Sequence, residues 1–109
     1  MDNNTEKKHG RYKWNEDDII GLIGDEAMWL QLAEEAAELS QAACKMARYL
    51  HGTNPVGKSE TMIRADIIGE FSDVINCARR LAIPINEDFI RYKNERWIRR
   101  IEEMHDGVE

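Results

Sequence analysis

The sequence predicts an all-α fold, an antiparallel four-helix bundle of a single domain. Three observations predict it. Alanine, leucine, isoleucine and glutamate dominate the interior of the chain, and proline occurs only at Pro55 and Pro84. The apolar residues of each long segment recur at helical spacing. The length, 109 residues, suits one compact domain.

Residues 1–14 are polar, with Lys7, Lys8, Arg11 and Lys13 among Asn, Thr and Gly, and are expected to form a flexible arm anchored by Tyr12 and Trp14. The helical domain is expected over 15–105. Asn15 followed by Glu16, Asp17 and Asp18 reads as a capped helix start, because acids favour a helix N-terminus. A short helix with Ile19, Ile20, Leu22 and Ile23 follows, ended by Gly24, with Asp25 as the cap of the next. That second helix is expected from about Asp25 to Leu50, with Leu32, Ala36, Leu39, Ala43, Met46 and Leu50 as one apolar stripe. The segment from His51 to Ser59 holds Gly52, Asn54, Pro55 and Gly57 and reads as a loop.

The third helix is expected from about Glu60 to Ala82, capped by Ser59 or Thr61. Its core stripe is Ile63, Ile67, Phe71, Val74, Ala78 and Leu81, with Asp66, Glu70, Asp73 and Cys77 alongside. Gly69 inside it costs roughly 1 kcal/mol relative to Ala, which suggests a close helix approach. Pro84 closes this helix, and Asn86 with Glu87 and Asp88 opens a fourth, running to about His105. Ile90, Trp97, Ile101 and Met104 form its apolar side. Trp29 and Trp97 are expected in the core.

Bulk properties exclude several function classes. A net charge of −6 argues against a chain held to nucleic acid by charge alone. No run reaches the roughly 20 apolar residues needed to span a bilayer, and the N-terminus lacks the apolar core of a signal peptide. Cys44 and Cys77 show no metal spacing, so reduced thiols in a cytoplasmic protein are expected.

The chemistry centres on two acidic pairs, Glu35 with Glu38 and Glu70 with Asp73, each at i, i+3 on a long helix. Such pairs ordinarily mark a solvated face. Here each lies beside a core stripe, and none has a cation at i+4: the residues there are Leu39, Ala42, Val74 and Cys77. Glu34 falls nearly opposite the stripe and should be solvated. Packed face to face, the two helices would bring four mutually repelling carboxylates together. A hard cation removes that repulsion, and oxygen donors suit Mg²⁺. On the fourth helix Lys93, Arg96 and Arg100 form one basic line bordering the apolar side, either pairing with surface acids or clamping phosphates. Lys45 faces the same way as Glu38, and Asn76 extends the acidic side by one turn; both are candidate substrate contacts.

The runs "EEAAELSQAACK", "GEFSDVIN" and "KNERWIRRI" together resemble the MazG-like, all-α nucleotide pyrophosphohydrolases, over about residues 26–102. Their hallmark is E-E-x-x-E on one helix and E-x-x-D on the next, followed by a helix with lysine and arginine. The resemblance implies that Glu35, Glu38, Glu70 and Asp73 bind Mg²⁺, with Mn²⁺ as a substitute, and that Lys93 and Arg96 hold phosphates. It further implies hydrolysis of a nucleoside triphosphate between the α- and β-phosphates, with Glu35 or Glu38 accepting the proton of the attacking water. A homodimer or homotetramer is expected. The alternatives are a phosphoribosyl-ATP pyrophosphatase, and a non-catalytic helical module whose acids dock a basic partner. The loop "HGTNPVGKSETM" identifies no base.

Overall fold

The computed structural model describes residues 12–107; of the expected arm, 1–14, only the last three positions fall within that range. The described residues are all-helical. A 3₁₀ turn, Glu16–Asp18, runs into α1 (Ile19–Ile23), followed by α2 (Asp25–His51), α3 (Glu60–Arg80) and α4 (Glu87–His105). No helix among them is long and apolar enough to cross a membrane.

Local chemistry accounts for the boundaries. Asn15 accepts from the Asp17 amide, and Asp18 reaches back to the Asn15 amide, closing a capping box. Gly24, at φ 92°, ends α1 and starts α2 with no side-chain cap, so Asp25 is the first helical residue rather than the cap. Ser59, not Thr61, caps α3 by accepting from the Met62 amide, and Asn86 caps α4 by accepting from the Phe89 amide. At the end of α3, Ile83 donates to the Ala78 carbonyl and Ala82 to that of Arg79, a Schellman closure with Ala82 at φ 57° in the left-handed region.

Extended packing between the helices is confined to α2 with α3 and α1 with α2. The first half of α2 lies against the second half of α3 and the end of α2 against the start of α3, so the pair is antiparallel. Arg80 ties the first turn to this pair, donating to the Glu16 carbonyl at 3.0 Å. No extended packing joins α4 to the pair among the described residues. The radius of gyration is 19.8 Å, against about 13 Å for a compact chain of this length.

The seam between α2 and α3 is rotated from the expected stripes toward the acids, by roughly 30–50° at about 100° per residue. Met28, Ile63 and Cys77 are its buried apolar residues, and Glu35 and Glu70 lie in it, half-buried. Ala36, Ala43, Leu50 and Phe71, expected in the core, are exposed, as are Trp29 and Trp97. The reason is geometric: the apolar band on each helix is wider than one partner can cover. In an antiparallel pair, equal rotations from the seam bring the uncovered flanks to the same face. Trp29, Ala36 and Ala43 therefore share one face with Ile68 and Phe71, while Glu38, Lys45, Asp66 and Asp73 occupy the opposite one. Gly69 faces open space, with nothing within 4 Å of where a Cβ would stand, so no close approach explains it.

Candidate functional site

The site forms where the two acidic turns meet across the seam. Glu35, Glu38 and Glu70 each offer a carboxylate oxygen, and these oxygens lie within 4.8 Å of one another. Oε1 of Glu35 and Oε1 of Glu70 are buried and have no hydrogen-bond partner. The other oxygen of Glu35 accepts from Gln31 Nε2 at 2.6 Å, one turn earlier on α2, which fixes the carboxylate plane. Buried polar atoms are nearly always partnered, so two unpartnered oxygens in one seam set this spot apart from a solvated acidic face.

The electrostatics agree. Burial holds the Glu70 carboxyl above its ordinary range, reinforced by its side-chain hydrogen bonding with Glu38 and by the charges of Glu38, Asp73 and Glu35. Burial also raises the Cys77 thiol, helped by Glu35 and Asp73, and the atoms that converge are those of Glu35, Glu38 and Glu70. Asp66 is lowered instead, first by its bond from Lys58 and further by the charges of Lys58 and Lys45. The donor set is thus carboxylate oxygen alone, which fits a hard divalent ion such as Mg²⁺ or Mn²⁺ better than a thiolate- or imidazole-seeking one.

Two hollows flank the acids. One, of about 390 Å³, is lined by Glu38, Gln41, Ala42, Lys45, Lys58, Ile63, Asp66 and Glu70. The other, of about 260 Å³, brings Glu35 together with Asp73, Asn76 and Arg80. Of the residues singled out from sequence, Glu35, Glu38 and Glu70 converge. Asp73 and Asn76 border them on one side and Lys45 on the other, and Glu34 is exposed and apart, as its position on the wheel requires. Lys93, Arg96 and Arg100 do come together, around Trp97, but in a hollow on α4 that shares no described residue with the acids. Gln31, Lys58 and Arg80 escaped the sequence reading. The i, i+4 spacing of Gln31 to Glu35 was a usable signal. The reach of Lys58 from the loop to Asp66 was not, because loop geometry has no period.

Compared with protein-family models, curated proteins and solved structures, the chain matches none.

The raised Glu70 carboxyl has a consequence for stability. Its folded-state pKa lies above the unfolded value, so the metal-free folded chain holds this proton more tightly. The associated stability is present below the ordinary carboxylate range and is lost as pH rises through the raised value. Glu70→Gln removes that loss and is expected to raise the melting temperature of metal-free protein at neutral pH, while Glu34→Gln leaves it unchanged. Thermal melts of the three proteins from acidic to neutral pH check this; a lower melting temperature for Glu70→Gln contradicts it.

Proposed function

We propose that the chain is a Mg²⁺-dependent nucleoside triphosphate pyrophosphohydrolase that cleaves between the α- and β-phosphates to give a monophosphate and pyrophosphate. The observation that carries this reading is the pair of buried, unpartnered oxygens on Glu35 and Glu70, with Glu38 beside them. The order of the acidic motifs, E-E-x-x-E then E-x-x-D, supports the same reading through its resemblance to the MazG-like enzymes.

Glu35, Glu38 and Glu70 would hold the ion, with Asp73 one turn further along α3. Bound there, a divalent ion supplies charge neutralisation at the phosphate oxygens and acidifies a water. Gln31 keeps one Glu35 oxygen engaged, leaving Oε1 directed to the site. Glu38 is the exposed member of the three and borders the larger hollow, so its carboxylate is the one assigned to take the proton of the attacking water. Asn76, beside Asp73, is positioned to donate to a substrate oxygen.

The reading includes assembly. The apolar face of the α2–α3 pair and the exposed Phe89, Ile90, Trp97, Ile101 and Met104 of α4 leave a large area uncovered. A second copy laid on these surfaces would complete an antiparallel four-helix bundle, and two-fold dimers are the commonest closed assembly. The basic line of α4 lies apart from the acids within one chain, so its part in the site would have to come from a second copy.

A pyrophosphate-release screen over common ribo- and deoxyribonucleoside triphosphates and phosphoribosyl-ATP, with Mg²⁺, tests the activity. Glu38→Gln and Asp73→Asn are expected to lower turnover at least about a hundredfold with helical circular dichroism intact. Glu34→Gln stays near wild type, and equal loss from all three variants contradicts the site. Light scattering at micromolar concentration is expected to give the mass of a dimer or tetramer; a monomer contradicts the assembly. Lys93→Ala or Arg96→Ala is expected to lower kcat/KM at least about tenfold, with Arg91→Ala and Arg99→Ala near wild type.

A further inference from the structure

The larger hollow beside the acids has two unlike ends. Glu38 and Glu70 form one. The other holds two cations of the same chain, Lys45 on α2 and Lys58 on the loop that joins α2 to α3. The arrangement is not a plain acidic cluster.

Lys58 is built into its place. Gly57 before it adopts φ 83°, and Ser59 after it caps α3, so the loop backbone is held on both sides. From there the side chain crosses to Asp66, with Nζ at 2.7 Å from the carboxylate. Asp66 stands one turn before Glu70, and both line the hollow. The ion pair is more than a third exposed on each side, 38% for Lys58 and 44% for Asp66. Pairs of that exposure add little to stability, so the ammonium exchanges partners at little cost. A phosphate oxygen carries more charge than a carboxylate oxygen and is a stronger acceptor for it. The third cation near the acids, Arg80, is already engaged by Glu16.

We infer that Lys58 is a phosphate-binding residue of the acid site, releasing Asp66 to bind an oxygen of a metal-bound di- or triphosphate, with Lys45 as the second cation on the α2 wall. The inference rests on the pyrophosphohydrolase reading and deepens it: the ligand class is a polyphosphate whose charge is shared between the ion at the carboxylates and two lysines supplied in cis. Asp66 then acts as the resting partner that holds Lys58 over the hollow until a phosphate arrives.

Isothermal titration of the full chain with inorganic pyrophosphate at saturating Mg²⁺ tests it, alongside steady-state kinetics on the best substrate of the release screen. Lys58→Met and Lys58→Gln are expected to weaken pyrophosphate binding at least about tenfold, and to raise KM with kcat within about threefold of wild type. Lys58→Arg restores binding to within about threefold, and Asp66→Asn binds at least as tightly as wild type because the competing carboxylate charge is gone. Melting curves establish that each variant is folded, and two neutral replacements guard against one of them failing. Wild-type affinity in both neutral variants overturns the role of Lys58 while leaving the pyrophosphohydrolase reading in place. A wild-type chain that neither binds pyrophosphate nor hydrolyses any nucleotide overturns that reading and this inference together.

Discussion

Everything in this chain turns on two half-buried carboxylates that meet in one helix seam. Glu35 and Glu70 sit in the seam of the only long helix pair that packs among the described residues, and one oxygen of each finds no donor. Partial burial without a donor disfavours the charged form of a carboxylate, and a second like charge nearby adds to that. Burial and the neighbouring carboxylates hold the Glu70 carboxyl above its ordinary range. A sequence selected only for stability would place apolar residues at these positions, as it does at Leu39 and Val74 one turn on.

The acids also explain the thin core. Because the seam is turned toward Glu35 and Glu70, the apolar residues on the far flank are left facing outward, and among the described residues only Met28, Ile63 and Cys77 are buried apolar residues. The same rotation separates the two faces of the pair, with charge on one and apolar surface on the other. Contiguous exposed apolar patches are uncommon on monomeric domains, which is the basis of the assembly proposed above. The outward face of α4, with Trp97 and Met104 both 67% exposed, has the same character. The acidic face and the uncovered apolar face are thus consequences of one choice, the angle at which α2 meets α3.

Much of the fold was legible because helix ends are written in local chemistry. Asn15, Gly24, Ser59 and Asn86 act where their residue types act generally, and α2, α3 and α4 begin and end within two residues of the expected positions. The separation of Glu34 from Glu35 and Glu38 was legible too, since it needs only helical periodicity. The rotation of the seam was not. A helical wheel shows which residues are apolar but not which part of a wide band a partner chooses, so Phe71 and Trp29 were placed inward and stand outward. The contact of Lys58 with Asp66 lay beyond reach for another reason, because it depends on the path of the loop between Gly52 and Ser59. The basic line on α4 was read correctly as a line, but its partner cannot be read from one helix alone.

The central claim is that the buried carboxylates are a cation site. Its most direct test is a thermal melt of the full chain during a Mg²⁺ titration, set against NaCl at matched ionic strength. Binding to the folded state alone raises the melting temperature by linkage. The account predicts a saturable rise with Mg²⁺ that NaCl does not reproduce and that Glu38→Gln abolishes. A shift that merely follows ionic strength, equal in both salts and unaffected by Glu38→Gln, would contradict it and leave the acids as a charged docking face.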